Sequence, residues 1–263
     1  MRELLVQVPF RGTIRERSVE PYVRLLRGLR SRRRVKGVLF DISSGGGEVV
    51  ASADLALAVR RLNAVKPVFA SIGALGASGG FLAALGARKV YAYPESIVGS
   101  IGVVYPHIAA ADLLRRLGIS VELLHVGEHK DASLGYRALT DVERGKVLAV
   151  AQEDYDGFVR SVATARRKTE EEVRALATGE VWSGARAQAL GLIDALGDRE
   201  DALEDLARTV GVVSRRTVIA TPPRPFLMRF LGGESRFSAS LSDRLSEALQ
   251  DALLDLGSGG LRR

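Results

Sequence analysis

Residues 71–103 read SIGALGASGGFLAALGARKVYAYPESIVGSIGV, and the glycine- and alanine-rich first half of that stretch decides the fold. A β-type segment, Pro67–Ile72 (PVFASI), runs into the glycines, and an apolar run, Phe81–Leu85, leaves them. That order predicts strand, tight turn, helix, with Ser78 at the turn. A serine there sits where unpaired backbone N–H groups and the positive end of the helix dipole favour developing negative charge. Gly79 and Gly80 carry no Cβ, so other backbone can come close. The arrangement follows the mechanics of a nucleophile elbow without its G-x-S-x-G spelling. A plain helix–sheet packing turn would read the same way over this stretch alone.

Upstream the pattern repeats. Val35–Ile42 (VKGVLFDI) is an apolar run of strand length without clean alternation, which suits a strand buried on both faces. It runs into Ser43-Ser44-Gly45-Gly46-Gly47, and a helical pattern follows with Val49, Val50, Ala53, Leu57 and Leu62. Further strands are expected at Leu4–Val8, Lys89–Tyr93, Ile97–Val104 and Ser120–Val126. Further helices are expected at Ser18–Arg34, with Ser18 as cap, and at His107–Leu117. In the second half, Thr140-Asp-Val-Glu143 and Thr169-Glu-Glu-Glu172 are capping boxes, the first opening a helix to about Arg167. Ser183 caps a short helix, and Asp198–Val210 is another. Alternating strands and helices with glycine turns define an α/β fold with a largely parallel sheet. Composition shifts after about residue 211, so the chain divides into a domain over 1–210 and an extension over 211–263. That extension holds an amphipathic helix near Leu241–Leu256 and a loose Gly/Ser/Arg tail.

The 263 residues contain no cysteine, which excludes disulfides, thiol catalysis and Cys-ligated metal. No H-E-x-x-H pattern occurs, so neither a metal site nor a cofactor is expected. No apolar run reaches the roughly 18 residues of a membrane span, and the first residues lack a signal-peptide core. The chain as written is therefore expected in the cytoplasm. Its charge is uneven. Residues 1–36 hold eleven Lys/Arg against three Glu, whereas the rest holds 27 basic and 28 acidic residues. Arg24, Arg27, Arg30 and Arg32–Arg34 thus account for the high pI. They read first as a solvated helix face, then as a peripheral contact for an anionic membrane, and last as a nucleic-acid patch, for which no motif is present.

The three glycines at 45–47 match no phosphate-binding pattern. The chemistry they do fit is an oxyanion hole, one donor coming from this loop and one from the residue after the nucleophile. In a parallel sheet both loops lie at the carboxyl ends of their strands, so they can be neighbours. A serine nucleophile needs a base. The chain offers His107, His125 and His129, and Lys130 in VGEHKDAS. Burial disfavours a charged lysine, and serine–lysine pairs are an established variant of the triad.

Several of these motifs together resemble the signal peptide peptidase A family in its short form. These are serine–lysine peptidases with the Clp protease/crotonase fold of ββα units. The resemblance covers about residues 5–210. DISSGGGEVVAS is similar to the family's N-S-P-G-G-G loop, with Ser44 at the proline position. GALGASGGFLAALGA carries the A-S-G-G nucleophile motif at Ser78. VGSIGV matches the segment after it, and VGEHKDAS resembles G-x-x-K-D, whose lysine is the base. The resemblance implies Ser78 as nucleophile and Lys130 as general base. It implies an oxyanion hole from the Gly79 N–H and one N–H of Gly45 or Gly46, and Ser100 orienting Lys130. It also implies extended peptide substrates such as released signal peptides, and a homo-oligomeric ring or dome in which the lysine reaches a neighbour's serine. A Clp-type serine–histidine site would require a histidine in Ile97–Val104, which has none. A crotonase-type acyl-thioester enzyme would need neither Ser78 nor Lys130, and a non-catalytic scaffold or nucleic-acid binder would use the arginine patch instead.

Overall fold

In the computed structural model, which describes residues 3–212 and 217–222, the chain begins on a strand second from one edge of a sheet and winds across it. β1 (Leu4–Arg11) leads through α1 (Glu16–Ser31) to β2 (Val35–Ser44), then α2 (Val49–Asn63), β3 (Val68–Ala77) and α3 (Gly79–Ala84). β4 (Lys89–Ala92) and β5 (Ile97–Gly99) follow, then α4 (Ala111–Arg116), the long α5 (Asp141–Arg166) and α6 (Glu170–Arg174). β6 (Val181–Ser183), α7 (Gly184–Ala189), β7 (Ala195–Leu196), α8 (Arg199–Val210) and β8 (Thr217–Ile219) complete it.

The sheet order is β6-β5-β3-β2-β1-β8, with β4 beside β3 and β7 beside β4. Every pairing is parallel except β5 with β6. This is the α/β, largely parallel architecture expected from the sequence. One edge of β3 serves two neighbours: Phe69–Ile72 pairs with β4, and Leu75–Ala77 pairs with β5. β3 therefore outruns the segment expected from periodicity, and its last residues are held on the β5 side by Val98 and Gly99.

Alternation along the strands explains the two cores. Val38, Phe40, Ile42, Val68, Ala70 and Ile72 are buried toward α1, α2 and α3, while Leu5, Leu39, Phe69 and Tyr91 are buried toward Leu206 of α8. Both faces are covered, so the strands read as continuous apolar runs. Truncating a fully buried residue such as Phe40 to alanine would cost about 3–5 kcal/mol.

The caps form at Thr140, Thr169 and Ser183 as the sequence indicates, and Asp198, expected as the first residue of its helix, caps α8. Two expectations are corrected. Ser18 is not the first cap: α1 starts at Glu16, and the Ser18 hydroxyl accepts from the Arg15 N–H at 3.0 Å from inside the first turn. Residues 120–126 form no strand; they carry no ladder in the structure. The described residues belong to one compact unit, Met1–Pro222. β8, although it follows residue 211, pairs with β1. The helix expected near 241–256 lies outside the described residues.

Candidate active site

β3 ends at Ala77, and Ser78 turns the chain into α3 with φ 50° and ψ −125°. Its N–H donates to Gly99 O at 2.8 Å, and its carbonyl accepts from Leu82 N–H at 3.0 Å. Because Ala77 is registered against Gly99, Ser100 stands in the row next to Ser78. Ser100 also has positive φ, 51°, and its N–H donates to Glu180 O at 2.7 Å. Among the described residues only one other non-glycine, Arg167, has positive φ. Such a backbone costs roughly 1–3 kcal/mol and persists only where its surroundings enforce it. Here two adjacent strand ends each finish in a strained serine.

Glycine backbone closes in on Ser78 from the other side. Gly46 has φ 98°, and a Cβ there would lie 2.6 Å from Gly79 N and 3.0 Å from Ser78 Oγ. Gly79 opens α3, where first-turn amides have no intrahelical acceptor. A Cβ on Gly79 would strike Ser52 Oγ on α2. The tri-glycine loop is pinned by the chain after β1, since Ile14 N–H donates to Gly46 O at 2.8 Å. Ser44, buried beneath the loop, uses its hydroxyl to accept the Gly46 N–H at 3.1 Å.

These elements border a cavity of about 730 Å³. Ser78, Gly79 and Ser100 line it on the sheet side, Val49 and Ser52 on the α2 side, and α5 roofs it with Asp154, Phe158 and Ser161. The Tyr105 hydroxyl donates to Asp154, and that bond holds the phenol above its ordinary pKa range. The α5 roof and Ser52 escape a reading of the sequence. Helical periodicity says which face of α5 is apolar, not which core it covers; only the position of α2 directly after the glycine loop points to Ser52.

Lys130 is elsewhere. It is exposed, in a turn over 128–130 whose Lys130 N–H donates to Gly127 O at 3.2 Å, and it is not among the residues lining the Ser78 cavity. Ser78, Gly79, Gly46 and Ser100 are thus brought together within one chain, and Lys130 is not joined to them. Beside Lys130, the Asp131 and Glu143 carboxylates share the Arg137 guanidinium, which holds both below the usual carboxylate range. Among the described residues no group of three or more His, Cys, Asp or Glu is arranged to hold a metal. Nor is any described helix long and apolar enough to cross a membrane.

The fold defines a class, that of the Clp-like proteins. Two solved structures share this fold. A ClpP1 mutant from Listeria monocytogenes has a TM-score of 0.51 at 16% identity, covering 74% of this chain and 93% of that one. A mutant of the 1510-N membrane-bound stomatin-specific protease has a TM-score of 0.53 at 12% identity, covering 86% of this chain and all of that one. Within the class, residues 60–213 match the family described as Peptidase family S49, and the chain belongs to it.

Several relatives bear protease names. A Methanocaldococcus jannaschii protein is 37% identical over 191 residues, 73% of this chain and 61% of that one. A Synechocystis protein is 29% identical over 263 residues, 98% of this chain and 94% of that one. The chloroplastic serine protease SPPA of Arabidopsis thaliana is 30% identical over 229 residues, 86% of this chain. The chain spans only 61% and 32% of the first and last of these. Its kinship is with the SppA-type serine peptidases.

Proposed function

We propose that the protein is a serine endopeptidase in which Ser78 is the nucleophile and Lys130 the general base. The observation that carries this reading is Ser78 at a positive-φ strand–helix turn, with glycine backbone against its Oγ and a roofed cavity in front. Ser78 Oγ attacks a peptide carbonyl while neutral Lys130 takes its proton. The Gly79 N–H and one N–H from Gly45 or Gly46 hold the developing oxyanion. Lys130 then protonates the leaving amine, and water hydrolyses the acyl-enzyme. Ser100, beside Ser78, orients the lysine. The substrates are extended or unfolded peptides, such as released signal peptides, laid strand-like beside the tri-glycine loop.

The active form is a homo-oligomer in which Lys130 of one copy completes the site of the next. Two features support this. Lys130 is solvated in the single chain, whereas a lysine base needs a dry setting to give up its charge. The segment before it exposes Val104, Leu124 and Val126 to 83%, 90% and 98%, apolar surface of the kind that subunit contacts cover.

A serine-reactive phosphonate followed by peptide mapping tests the reading. The label should sit on Ser78 and peptide hydrolysis should stop in step with labelling. Modification elsewhere, with Ser78 untouched, overturns it.

A further inference from the structure

The loop that carries Lys130 has little regular structure, yet the residue after it is buried. Asp131 is 8% exposed beside an exposed Lys130. Arg137 explains this. Its Nε and Nη2 donate to Asp131 Oδ2 and Oδ1 at 2.8 and 2.9 Å, and its Nη1 and Nη2 donate to Glu143 Oε2 and Oε1, both at 2.7 Å. One planar guanidinium therefore makes a two-point contact with each of two carboxylates, a geometry no lysine can reproduce.

Glu143 belongs to the first turn of α5. It is 3% exposed, and its Oε2 also accepts the Thr140 N–H at 2.9 Å, closing the capping box. Three turns on, the same helix roofs the Ser78 cavity through Asp154 and Phe158. So one side chain ties the lysine loop to the helix that covers the serine.

The other titratable groups facing this cluster are His129, with Nδ1 3.6 Å from Glu143 Oε1, and His125, with Nε2 4.0 Å from Asp131 Oδ1. His107 Nε2 lies 2.8 Å from the Arg137 carbonyl oxygen and steadies the backbone. Because Arg137 depresses both carboxylate pKa values, the link is intact above the ordinary carboxylate range and is lost as pH falls through the folded values.

We propose that Arg137 is the positioning residue for Lys130, fixing the lysine's distance and direction by clamping Asp131 to the first turn of α5. The inference rests on Lys130 being the base. A displacement of about 1 Å at a reacting group can cost about 100-fold in rate, and the clamp removes that freedom from a loop with few other restraints.

The test uses the full chain in its assembled state, with kcat and KM measured across pH and normalised to sites titrated by the phosphonate. Arg137→Gln should lower kcat per titrated site about 100-fold, leave KM within about twofold, and move the pH at which activity rises. Arg137→Lys should remain low. Asp131→Asn keeps the Arg137–Glu143 pair and the α5 cap, so it folds even if the arginine variants do not; it should lose about tenfold in kcat with the same pH displacement. A purely structural role would reduce the number of titratable sites without changing kcat per site or its pH limb, and that result overturns the proposal. Lys130→Met is the reference. If it stays active, the base assignment fails and takes this inference with it. If it is inactive while the Arg137 and Asp131 variants keep wild-type kcat and pH dependence, only the positioning inference fails.

Discussion

The half of the molecule that holds the serine and the segment that holds the lysine are built on different terms. From Leu4 to Gly102 the chain is sheet and helix packed into two buried cores, and Ser78 is fixed by its N–H bond to Gly99 and by the close approach of Gly46. From 103 to 137 the longest element is the six-residue α4, and Ile108, Leu113, Leu117, Leu124 and Val126 face solvent. The geometry around Ser78 is thus complete within one chain, enforced by contacts that also hold the fold. The lysine's surroundings are not. On the proposed mechanism, apolar surface from another copy supplies what the segment lacks, and Arg137 ties its lysine loop to the first turn of α5.

The strongest way to break this contrast is at Ser78. Ser78→Ala should reduce peptide hydrolysis by at least about 10⁴-fold, the scale on which removing a serine nucleophile acts, with an unchanged far-ultraviolet spectrum. Lys130→Ala should be similarly inactive. Mixing the two variants before assembly should recover partial activity, because some sites would pair an intact serine with a neighbour's intact lysine. Absence of recovery at every ratio, with mixed oligomers confirmed by mass spectrometry, would sink the shared site.

Gly46→Ala comes next. The new Cβ would crowd Gly79 N and Ser78 Oγ on a residue whose φ of 98° is already unfavourable for alanine. The loop must move away from Ser78, so kcat should fall about 10²–10³-fold, the effect of losing one oxyanion donor. Phosphonate labelling should slow in parallel. A Gly12→Ala control, with φ 87° but nothing near its Cβ, carries the strain without the collision and should leave kcat within about threefold.

A smaller effect on turnover is expected from the lysine segment's surface. Leu124→Ser with Val126→Ser changes side chains that are almost fully exposed in the single chain, so folding stability should move by no more than about 0.5 kcal/mol. Sedimentation should nevertheless show dissociation, and activity should become steeply dependent on protein concentration. An unchanged oligomer would remove this segment from the interface.

The same contrast decided what could be read from residues alone. The strands expected at Val35–Ile42 and Pro67–Ile72 announce themselves because both faces are buried there, so the sequence carries the pattern without help from distant partners, whereas the extension of β3 to Ala77 depends on pairing with β5. The caps at Thr140, Thr169 and Ser183 are local chemistry and were equally legible. Ser18 misleads because two residues can form opposite halves of one box, and here Arg15 takes the first position. Residues 120–126 have the length and apolar content of a strand, but pairing is decided by tertiary context, and they pair with no strand in the structure. In the site, the Ser78 turn and its glycines were visible as spacing. The strain shared by Ser78 and Ser100 was not, since it arises from the register of β3 against β5. Nor was the Arg137 clamp, whose partners lie six residues away on either side, with no periodicity to mark them.

The finest test concerns Ser44. Its buried hydroxyl accepts the Gly46 N–H at 3.1 Å, so a donor that could face the oxyanion is engaged in the resting loop. Ser44→Ala removes that acceptor and leaves the amide without a partner until substrate arrives. An unmet buried N–H costs about 1–3 kcal/mol, so the melting temperature should fall slightly. Turnover should move the other way. If the Gly46 amide is the loop's contribution to the oxyanion hole, its unpaired state is relieved only as negative charge develops on the substrate, and that difference lowers the barrier. An increase in kcat of about two- to fivefold, with KM nearly unchanged, is the expected outcome. A decrease would mean that the hydroxyl holds the glycine loop in its working shape, and it would move the donor role to Gly45.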